Sequence, residues 1–462
     1  MRGPWPVLLL LQLAGAAGAA AAPASTAPGV TCRGSFSCNG GLTAGPGFLT
    51  LDGDALIVTR FTGDPLEADD VAAVPGFLSL LASGGNVSAA ACTRLAALTW
   101  PNDAEPAAFD FPAAEGAPPL RALLAPGGFL VPPKTVGAVT LLNTTGGAPV
   151  SGAFTLSAPK GSVIDGWFYH RATLVDVDGD GRLDVLAARA TKPLLGAPAG
   201  ELVWLRQPPT GDPLAPGALP WAEAVLSSGA WAPDVLFAPP VSLRSDGDAQ
   251  LLDASFFTGG GLAMLQCAGC AGAAPTAHWA TSSLAPVVLD AAVGPAFDVA
   301  VLDLNGDGRL DVLLTNHADN ATAVNGTVYQ SVVVAYEAPL APVPLANASA
   351  WTRHVLASGF VVREPGPNQA APGGARALPP PAGAPAGGKP WISVSGDGDQ
   401  RAYVLTPDAP GEPADWAYTR TLVHDCKGTV GRQVAAVAGG RTFLVVPCYD
   451  SAVIAVYELG AA

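Results

Sequence analysis

The chain has 462 residues, of which 49% are hydrophobic and 13% charged, and its formal net charge is −15. This acidic balance argues against binding to nucleic acid through a basic surface and is compatible with a soluble protein that binds cations. Glycine and proline contribute 55 and 45 residues, which favours many turns and short strands over long helices.

The first 22 residues have the features of a targeting segment. Arg2 supplies a positive charge, residues 7–13 form an apolar core, and small residues continue to Ala22. The apolar core is too short to span a membrane comfortably, and no later stretch is long and apolar enough. We therefore expect residues 1–22 to be a signal peptide, 23–46 a leader segment, and the mature chain to be secreted, with no membrane span.

Two stretches, 172–188 and 299–315, share one pattern of apolar strand, loop rich in acids and glycines, and second apolar strand. Loop positions one, three, five and nine carry side-chain oxygens, and the backbone carbonyl at position seven adds another. Ca²⁺ takes about six to eight oxygen ligands, and the glycines permit the turns with positive φ that wrap an ion. The candidate ligands are Asp176, Asp178, Asp180, Arg182 (carbonyl) and Asp184, then Asp303, Asn305, Asp307, Arg309 (carbonyl) and Asp311. An Asx-rich hairpin turn without metal is the alternative.

Two degenerate copies retain the pattern of two apolar strands around a turn, but most of the candidate ligand side chains are replaced. In 240–257, serine and arginine replace the first two acids and glutamine stands at position nine. In 391–406, two serines replace the first two acids, Asp397 persists, and Arg401 takes position nine. We expect Arg401 to pair with Asp397 and to replace the cation in this loop.

Three weaker hairpins, at 48–59, 95–111 and 433–447, bring the number of copies to seven. A tryptophan also recurs ahead of several of the units, and another apolar segment lies between hairpin and tryptophan. Each unit thus holds four strands in about 60 residues, the pattern of a propeller blade. The repeats predict an all-β fold with seven blades, and six or eight blades are the alternatives.

Segment 364–389 is rich in proline, glycine and alanine and shows no apolar periodicity. We expect it to be an exposed, mobile loop inserted into a propeller that spans 47–459. Its deletion should then leave the melting temperature nearly unchanged.

The seven cysteines form an odd set, so one is expected to be free or paired between chains. Cys426 and Cys448 flank a predicted hairpin and are the best candidates for a disulfide. Cys267 and Cys270 favour a small loop disulfide over a zinc half-site, because no second pair follows at zinc spacing. Sequons at five positions predict glycans on surface loops of a secreted chain. They are Asn86, Asn143, Asn320, Asn325 and Asn347.

The two acidic hairpins, with the following segments 201–205 (ELVWL) and 351–359 (WTRHVLASG), resemble the FG-GAP/VCBS repeats of integrin-alpha-like β-propellers. The resemblance is strong in 167–359 and weak elsewhere in 48–459. It implies a seven-bladed β-propeller of four-stranded blades, with two structural Ca²⁺ ions held by the loop ligands named above. The Phe-Gly and Gly-Ala-Pro pieces of the family pattern are not in register here, and leg domains are missing. The resemblance therefore does not extend to the integrin receptors themselves.

Catalytic motifs are scarce in this sequence. The histidines are scattered without metal spacing, and there is no Gly-X-Ser-X-Gly elbow, phosphate loop or nucleotide fingerprint. His170 and Arg171 lie in a chemically varied cluster, 167–171, for which packing between blades is the main interpretation and a pocket lining the alternative. Some related secreted propellers are lyases or dehydratases that act on sugars, so a carbohydrate-active enzyme is the alternative function.

Our main expectation is a module that binds an extracellular protein or glycan through the loops of one propeller face. The face opposite the acidic hairpins should discriminate between the two functions. A deep channel lined by His170, Arg171 and acids would favour an enzyme, and a flat or aromatic rim would favour binding.

Overall fold

Seven sheets, each of four antiparallel strands, follow one another along the chain in this computed structural model. The first strands of most successive sheets contact one another, so they line the axis of a ring. The predicted all-β, seven-bladed β-propeller is confirmed. The structure describes residues 29–38, 44–109, 120–145, 150–271, 277–282, 284–321, 323–324, 326–363, 369–384 and 388–460.

The blades are numbered here along the chain, and each is given from its inner to its outer strand. Blade 1 contains Gly45–Asp52, Ala55–Phe61, Asp69–Val74 and Thr93–Leu98. Blade 2 contains Glu105–Phe109, Leu120–Pro126, Val139–Asn143 and Gly152–Thr155. Blade 3 contains Phe168–Val175, Asp184–Thr191, Ala199–Arg206 and Ala222–Ser228. Blade 4 contains Leu236–Phe237, Ala249–Ser255, Gly261–Cys267 and Val287–Asp290.

The remaining blades follow the same order. Blade 5 contains Ala296–Leu302, Asp311–Asn316, Val332–Glu337 and Thr352–Ser358. Blade 6 contains Ala375–Leu378, Trp391–Ser395, Arg401–Pro407 and Tyr418–Asp425. Blade 7 contains Val434–Ala438, Arg441–Cys448, Val453–Leu459 and, outermost, Val30–Ser37. A small hairpin, Ala323–Val324 with Thr327–Val328, extends from blade 5.

Helices are few and short in the described residues. One α-helix, Phe77–Ala82, lies between the third and outer strands of blade 1. The 3-10 helices are Val87–Ala89, Pro216–Ala218, Trp279–Thr281, Ala348–Ala350 and Asp397–Asp399. None of the described helices has the length and apolarity needed to cross a bilayer. The targeting segment predicted at 1–22 lies outside the described residues.

The core is divided among the interfaces between blades. Seven clusters of buried apolar side chains each join two consecutive blades, and together they close the ring. A second strand such as Asp184–Thr191 is buried along its whole length because neighbouring blades cover both of its faces. Outer strands such as Thr352–Ser358 are mostly exposed instead. This explains why the inner part of each blade reads as a continuous apolar run.

The N-terminal strand closes the ring. Val30–Ser37 pairs antiparallel with Val453–Leu459 and forms the outer strand of blade 7. The expected boundary between a leader and a propeller beginning at residue 47 is therefore wrong. The reason is that the partner of this strand lies at the other end of the chain, where no local sequence pattern can indicate it.

Three disulfides lie within the described residues. Cys426–Cys448 and Cys267–Cys270 are both present, as predicted. Cys426 follows the outer strand of blade 6 and Cys448 ends the second strand of blade 7, so this bridge joins two blades and does not flank one hairpin. A third bridge, Cys38–Cys92, links the end of the closing strand to blade 1. Cys32 on the closing strand is the free thiol.

Two faces of the ring must be distinguished. We call the end that carries the turns between first and second strands the hairpin face, and the opposite end, with the blade-to-blade linkers, the linker face. Five predicted hairpins, at 48–59, 172–188, 240–257, 299–315 and 433–447, do join first and second strands.

Two of the predicted hairpins are wrong. Segment 95–111 contains the outer strand of blade 1 and the inner strand of blade 2, which do not pair with each other. Segment 391–406 joins the second and third strands of blade 6, so its loop lies on the linker face. The pattern of two strands around an acidic turn occurs at both ends of a blade, which explains the error.

The predicted mobile loop at 364–389 is also wrong in its central part. Ala375–Leu378 pairs with Trp391–Ser395 and forms the inner strand of blade 6. Ala371, Ala375 and Leu378 are buried in the interfaces of this blade. This strand is too short and too rich in alanine to produce an apolar periodicity. Residues 364–368 and 385–387 lie outside the described residues.

The predicted glycan positions differ in their surroundings. Asn86 and Asn347 are exposed, and Asn143 is half-buried. The Asn320 amide donates to Ser331 Oγ at 2.8 Å and to the Phe360 carbonyl at 2.7 Å, so this side chain is part of the loop structure. Asn325 lies outside the described residues.

Candidate metal-binding loops and the opposite face

The two acidic loops occupy equivalent places on the hairpin face. One joins the first and second strands of blade 3, and the other does so in blade 5. Gly179 and Gly181 have φ of 76° and 82°, and Gly306 and Gly308 have φ of 79° and 83°. Gly179 is required for a second reason, since a Cβ there would lie 2.0 Å from Cε1 of His278 in blade 4.

The first loop brings three carboxylates together. Asp176, Asp178 and Asp184 each offer an oxygen within 4.8 Å of the other two. The Asp176 carboxylate accepts hydrogen bonds from the Gly179 and Gly181 amides at 2.8 and 3.0 Å. Asp184 is buried and accepts from the Gln207 amide at 2.7 Å. Backbone donors therefore hold the carboxylates in place.

The remaining carboxylate of the first loop is directed elsewhere. Asp180 accepts a hydrogen bond from the side chain of Arg182. In addition, Arg206 Nη2 lies 2.6 Å from Asp178 Oδ2. Of the predicted ligand side chains, the structure therefore groups positions one, three and nine, and it pairs both position three and position five with an arginine.

The second loop repeats this arrangement. The Asp303 carboxylate accepts from the Gly306 and Gly308 amides at 2.7 and 2.8 Å. Asp307 is paired with the side chain of Arg309, whose Nη2 and Nε lie 2.6 and 3.0 Å from Oδ2. Position three is Asn305, which is buried and lies beside Asp307.

Position nine has a structural role that does not depend on metal. Asp184 accepts from the Val177 amide at 3.3 Å, and Asp311 from the Leu304 amide at 3.0 Å. In the degenerate loop of blade 4, Gln250 Oε1 accepts from the Leu243 amide at 2.9 Å. A neutral side-chain amide therefore accepts the same backbone hydrogen bond in the loop of blade 4. This explains how that loop keeps its hairpin conformation without the acids.

The donor set fits a hard cation. The first loop brings oxygens of Asp176, Asp178 and Asp184 within 4.8 Å of one another, and the second loop offers carboxylate and amide oxygens at the same positions. Oxygen is the ligand atom that Ca²⁺ prefers. Burial raises the pKa of Asp184 to about 6 and that of Asp311 to about 7, and neighbouring carboxylates contribute to the second shift. The uncompensated negative charge at position nine is what a bound cation would stabilise.

The Asp397 loop is different in place and in contacts. His317 Nε2 lies 3.1 Å from Asp397 Oδ2. Arg401 begins the third strand and pairs with Asp425, with 3.5 Å between Nε and Oδ2. The predicted pair of Arg401 with Asp397 is therefore wrong, because this loop is a turn of the linker face and not a copy of the acidic hairpin.

Charged side chains fill the axis of the ring. Arg432 of blade 7 reaches past blade 1 to Asp103 and Glu105 of blade 2, with 3.0 Å between Nη1 and Asp103 Oδ2. Such contacts between non-neighbouring blades are feasible only at the axis. Arg171 of blade 3 lies 3.5 Å from the same Asp103 oxygen. His170 is buried beside it, and burial together with the Arg171 charge lowers the pKa of His170 to about 3. The axis therefore holds neutral histidine and paired charges.

The linker face carries a continuous series of ring side chains. Each ring centroid lies between 4.6 and 6.0 Å from the next, and the series crosses from blade 7 through blades 1 to 5. We call this series the aromatic arc. Its members are Tyr449, Phe61, Trp100, Phe129, Phe168, Phe257, Phe256, Phe297 and His317. All except Trp100 and Phe168 are partly exposed.

Exposed aliphatic side chains accompany the aromatic arc. Leu66, Ile164 and Leu195 have relative exposures of 93%, 69% and 88% and belong to loops of the linker face. Ile164 and Leu194 lie on loops that are joined by a backbone hydrogen bond of 3.4 Å. The acidic loops lie on the hairpin face. The linker face is therefore the more apolar of the two in these regions, and the hairpin face the more acidic.

One buried carboxyl group in blade 4 has no compensating partner. Neither oxygen of Asp253 has a hydrogen-bond partner among the described residues, and the side chain is fully buried. Burial raises the pKa of Asp253 well above its ordinary value, and the charge of nearby Asp234 adds to the shift. The Asp234 carboxylate, in contrast, accepts from the Phe256, Phe257 and Thr258 amides at 2.7 to 2.9 Å.

Asp253→Asn is expected to stabilise the protein at neutral pH. The pKa of this carboxyl is higher in the folded than in the unfolded protein, where it is about 4. Below the unfolded pKa the group is protonated in both states and its stabilising contribution is complete. As pH rises through the folded pKa the buried carboxyl must ionise, and this contribution is lost. The gain should be about 1.4 kcal/mol for each unit of the pKa shift. Urea unfolding of both proteins from pH 4 to pH 8 should show the difference growing with pH. Burial also raises the pKa of Asp234, to about 6. The control Asp234→Asn should therefore gain less at pH 7.5 than Asp253→Asn, because only Asp234 loses hydrogen-bond acceptors to backbone amides. A difference independent of pH would contradict this assignment.

Comparisons with known proteins place few constraints on this chain. No protein-family model matches it, and the search of curated proteins found no match. Among solved structures, a puromycin-hydrolysing peptidase of Mycobacterium tuberculosis is 13% identical with a TM-score of 0.37, and the match covers 87% of this chain and 50% of that one. This chain therefore spans half the length of the peptidase.

Two further solved structures are similar at the same low level. An oxidoreductase (glucose dehydrogenase) of Thermus thermophilus is 14% identical with a TM-score of 0.32, over 78% of this chain and 98% of that one. The biofilm matrix protein Bap1 of V. cholerae is 12% identical with a TM-score of 0.27, over 96% and 70%. Likenesses this weak carry no argument about function, which must be inferred from the chain itself.

Proposed function

We propose that this chain is a secreted, calcium-binding β-propeller that recognises an extracellular protein through its linker face. The observation that carries the recognition role is the aromatic arc. Three disulfides among the described residues support an oxidising, extracellular setting. The FG-GAP/VCBS resemblance of the acidic hairpins supports calcium as their ion.

The composition of the linker face favours a protein partner over a glycan. Cores of protein interfaces are enriched in aromatic side chains and depleted of charged ones, and the arc with Leu66, Ile164 and Leu195 matches this composition. A sugar would require more exposed hydrogen-bonding groups among the rings. His317 pairs with Asp397 there, and the Lys134–Asp69 ion pair beside Trp100 is buried. Glycan binding is the alternative outcome of the experiment below.

The axis favours binding over the lyase or dehydratase alternative. His170 and Arg171, which we considered as pocket residues, are buried at the axis, and His170 contacts the rings of Phe48, Phe129 and Phe168. A general acid or base must reach the reacting group, and it works best with a pKa near the operating pH. A buried histidine with a pKa of about 3 meets neither condition.

The recognition proposal is tested with the secreted chain on arrays of purified extracellular proteins and of glycans, in millimolar calcium. Leu195→Asp combined with Ile164→Asp should abolish protein binding, because both side chains are exposed on the linker face. The matched control is Leu340→Asp, which alters a leucine of 62% exposure on the hairpin face. Binding lost only in the control, or binding to glycans alone, would contradict the proposal.

Within this proposal, each acidic hairpin holds one Ca²⁺ through the ligands predicted at positions one, three, five, seven and nine. The ion supplies positive charge that neutralises the converging carboxylates. Extracellular calcium sites have dissociation constants of about 10⁻⁴ M or weaker. A tenfold excess of calcium then stabilises the fold by about 1.4 kcal/mol per site.

Asp176→Ala and Asp303→Ala should each remove part of the calcium-dependent rise in melting temperature. Each substitution deletes a position-one carboxylate that two glycine amides hold in place. The control Asp397→Ala should change the melting temperature equally with and without calcium, since this loop lies on the linker face. Melting curves recorded in calcium and in chelator test this. A wild-type curve that chelation leaves unmoved would contradict calcium binding.

A further inference from the structure

The two acidic loops differ in the number of arginine side chains that contact their carboxylates. In both loops the arginine at position seven pairs with the carboxylate at position five, as Arg182 does with Asp180 and Arg309 with Asp307. A cation that binds the loop must therefore compete with a guanidinium that is already in place.

The first loop has a second arginine. Arg206 is the last residue of the third strand of blade 3. Val185 pairs with Leu205 in the antiparallel register, so the next residue, Arg206, lies opposite Asp184. Its Nη2 lies 2.6 Å from Asp178 Oδ2 and 3.9 Å from Asp180 Oδ2. Two arginines thus act on the carboxylates of this loop.

The equivalent place in blade 5 carries the opposite charge. Asp311 pairs across the sheet with Glu337, which occupies the position that Arg206 has in blade 3. Arg309 Nη2 lies 3.8 Å from Glu337 Oε1, so the single arginine of the second loop is shared between two carboxylates. The second loop therefore has fewer competing cations and one additional nearby acid.

We propose that Arg182, Arg206 and Arg309 compete with calcium for the loop carboxylates and give the two sites different affinities, with the second loop the tighter site. This order is the reverse of what the acids in the loops suggest, since the first loop has four and the second has three. The inference rests on the proposed calcium binding. In this proposal the three arginines set the metal affinity of the loops, in addition to forming surface ion pairs.

The experiment compares the two sites one at a time by calorimetric titration with calcium chloride. Asp303→Ala leaves the first loop intact, and Asp176→Ala leaves the second. We expect the second loop to bind more tightly by about fivefold or more, since an exposed ion pair contributes up to about 1 kcal/mol. Adding Arg206→Gln to Asp303→Ala should tighten the first loop by about fivefold, on the same reasoning.

The matched control is Arg121→Gln, which removes an exposed arginine paired with Asp52 beside the hairpin face of another blade. It changes the net charge equally and should leave both affinities nearly unaltered. Equal tightening by Arg121→Gln and Arg206→Gln, or a tighter first loop, would overturn this inference while calcium binding itself stood. Absence of calcium binding in the wild-type chain would overturn the inference together with the proposed function.

Discussion

Replacing Cys38 and Cys92 together with serine is expected to lower the free energy of unfolding by about 4 kcal/mol, the value that loop-closure entropy assigns to a loop of this length. The two cysteines are 54 residues apart in sequence. Their bridge joins the end of the closing strand of blade 7 to blade 1, at the one interface where the chain ends meet. Urea unfolding under non-reducing conditions measures the change.

The matched control is the double serine variant of Cys267 and Cys270, which are only three residues apart. The same entropy relation assigns this small loop about half of the effect. If both double variants lose equal stability, the ring-closing role of Cys38–Cys92 is contradicted. An unchanged stability in the first variant would contradict it as well.

Deleting residues 372–387 is expected to prevent stable folding. The deletion removes Ala375–Leu378, the inner strand of blade 6, and leaves the pairing edge of Trp391–Ser395 uncovered. Loss of a buried leucine such as Leu378 alone costs about 2 to 5 kcal/mol. Circular dichroism and thermal unfolding of the purified variant should show no cooperative transition.

Deletion of another short segment, one outside the blade sheets, is the control. Residues 321–328 contain the small hairpin that extends from blade 5 outside the four-stranded sheets. Its removal should shift the melting temperature only slightly. A cooperative melt near the wild-type temperature after deletion of 372–387 would mean that the segment is a mobile insert, as its composition suggested.

The blade repeat could be predicted because each blade repeats one local arrangement. In 172–188 and 299–315 the glycines and acids are required at fixed positions, by positive φ and by the hydrogen bonds that Asp176 and Asp303 accept from glycine amides. Segment 391–406 shows the limit of this signal. A turn with two acids and glycine also suits the connection between second and third strands, so sequence alone could not assign it to a face.

Features that depend on residues far apart in sequence could not be predicted. The closing strand pairs Val30 with Leu459, and the aromatic arc takes one or two rings from each of several blades. No local periodicity connects such residues. Arg206 and Glu337 were likewise missed, because each reaches its loop from the third strand of a blade and not from the acidic segment itself. Aromatic residues near strand ends opposite the hairpin turns are a sequence signal that could have indicated the arc.

Counting the calcium ions bound per chain tests the central claim most directly. After exhaustive chelation, equilibrium dialysis against millimolar calcium with elemental analysis should find two ions in the wild-type protein. Asp176→Ala and Asp303→Ala should each retain one ion, and the double variant none. A wild-type protein that binds no calcium, or a double variant that still binds two ions, would contradict the assignment of calcium to the two acidic hairpins.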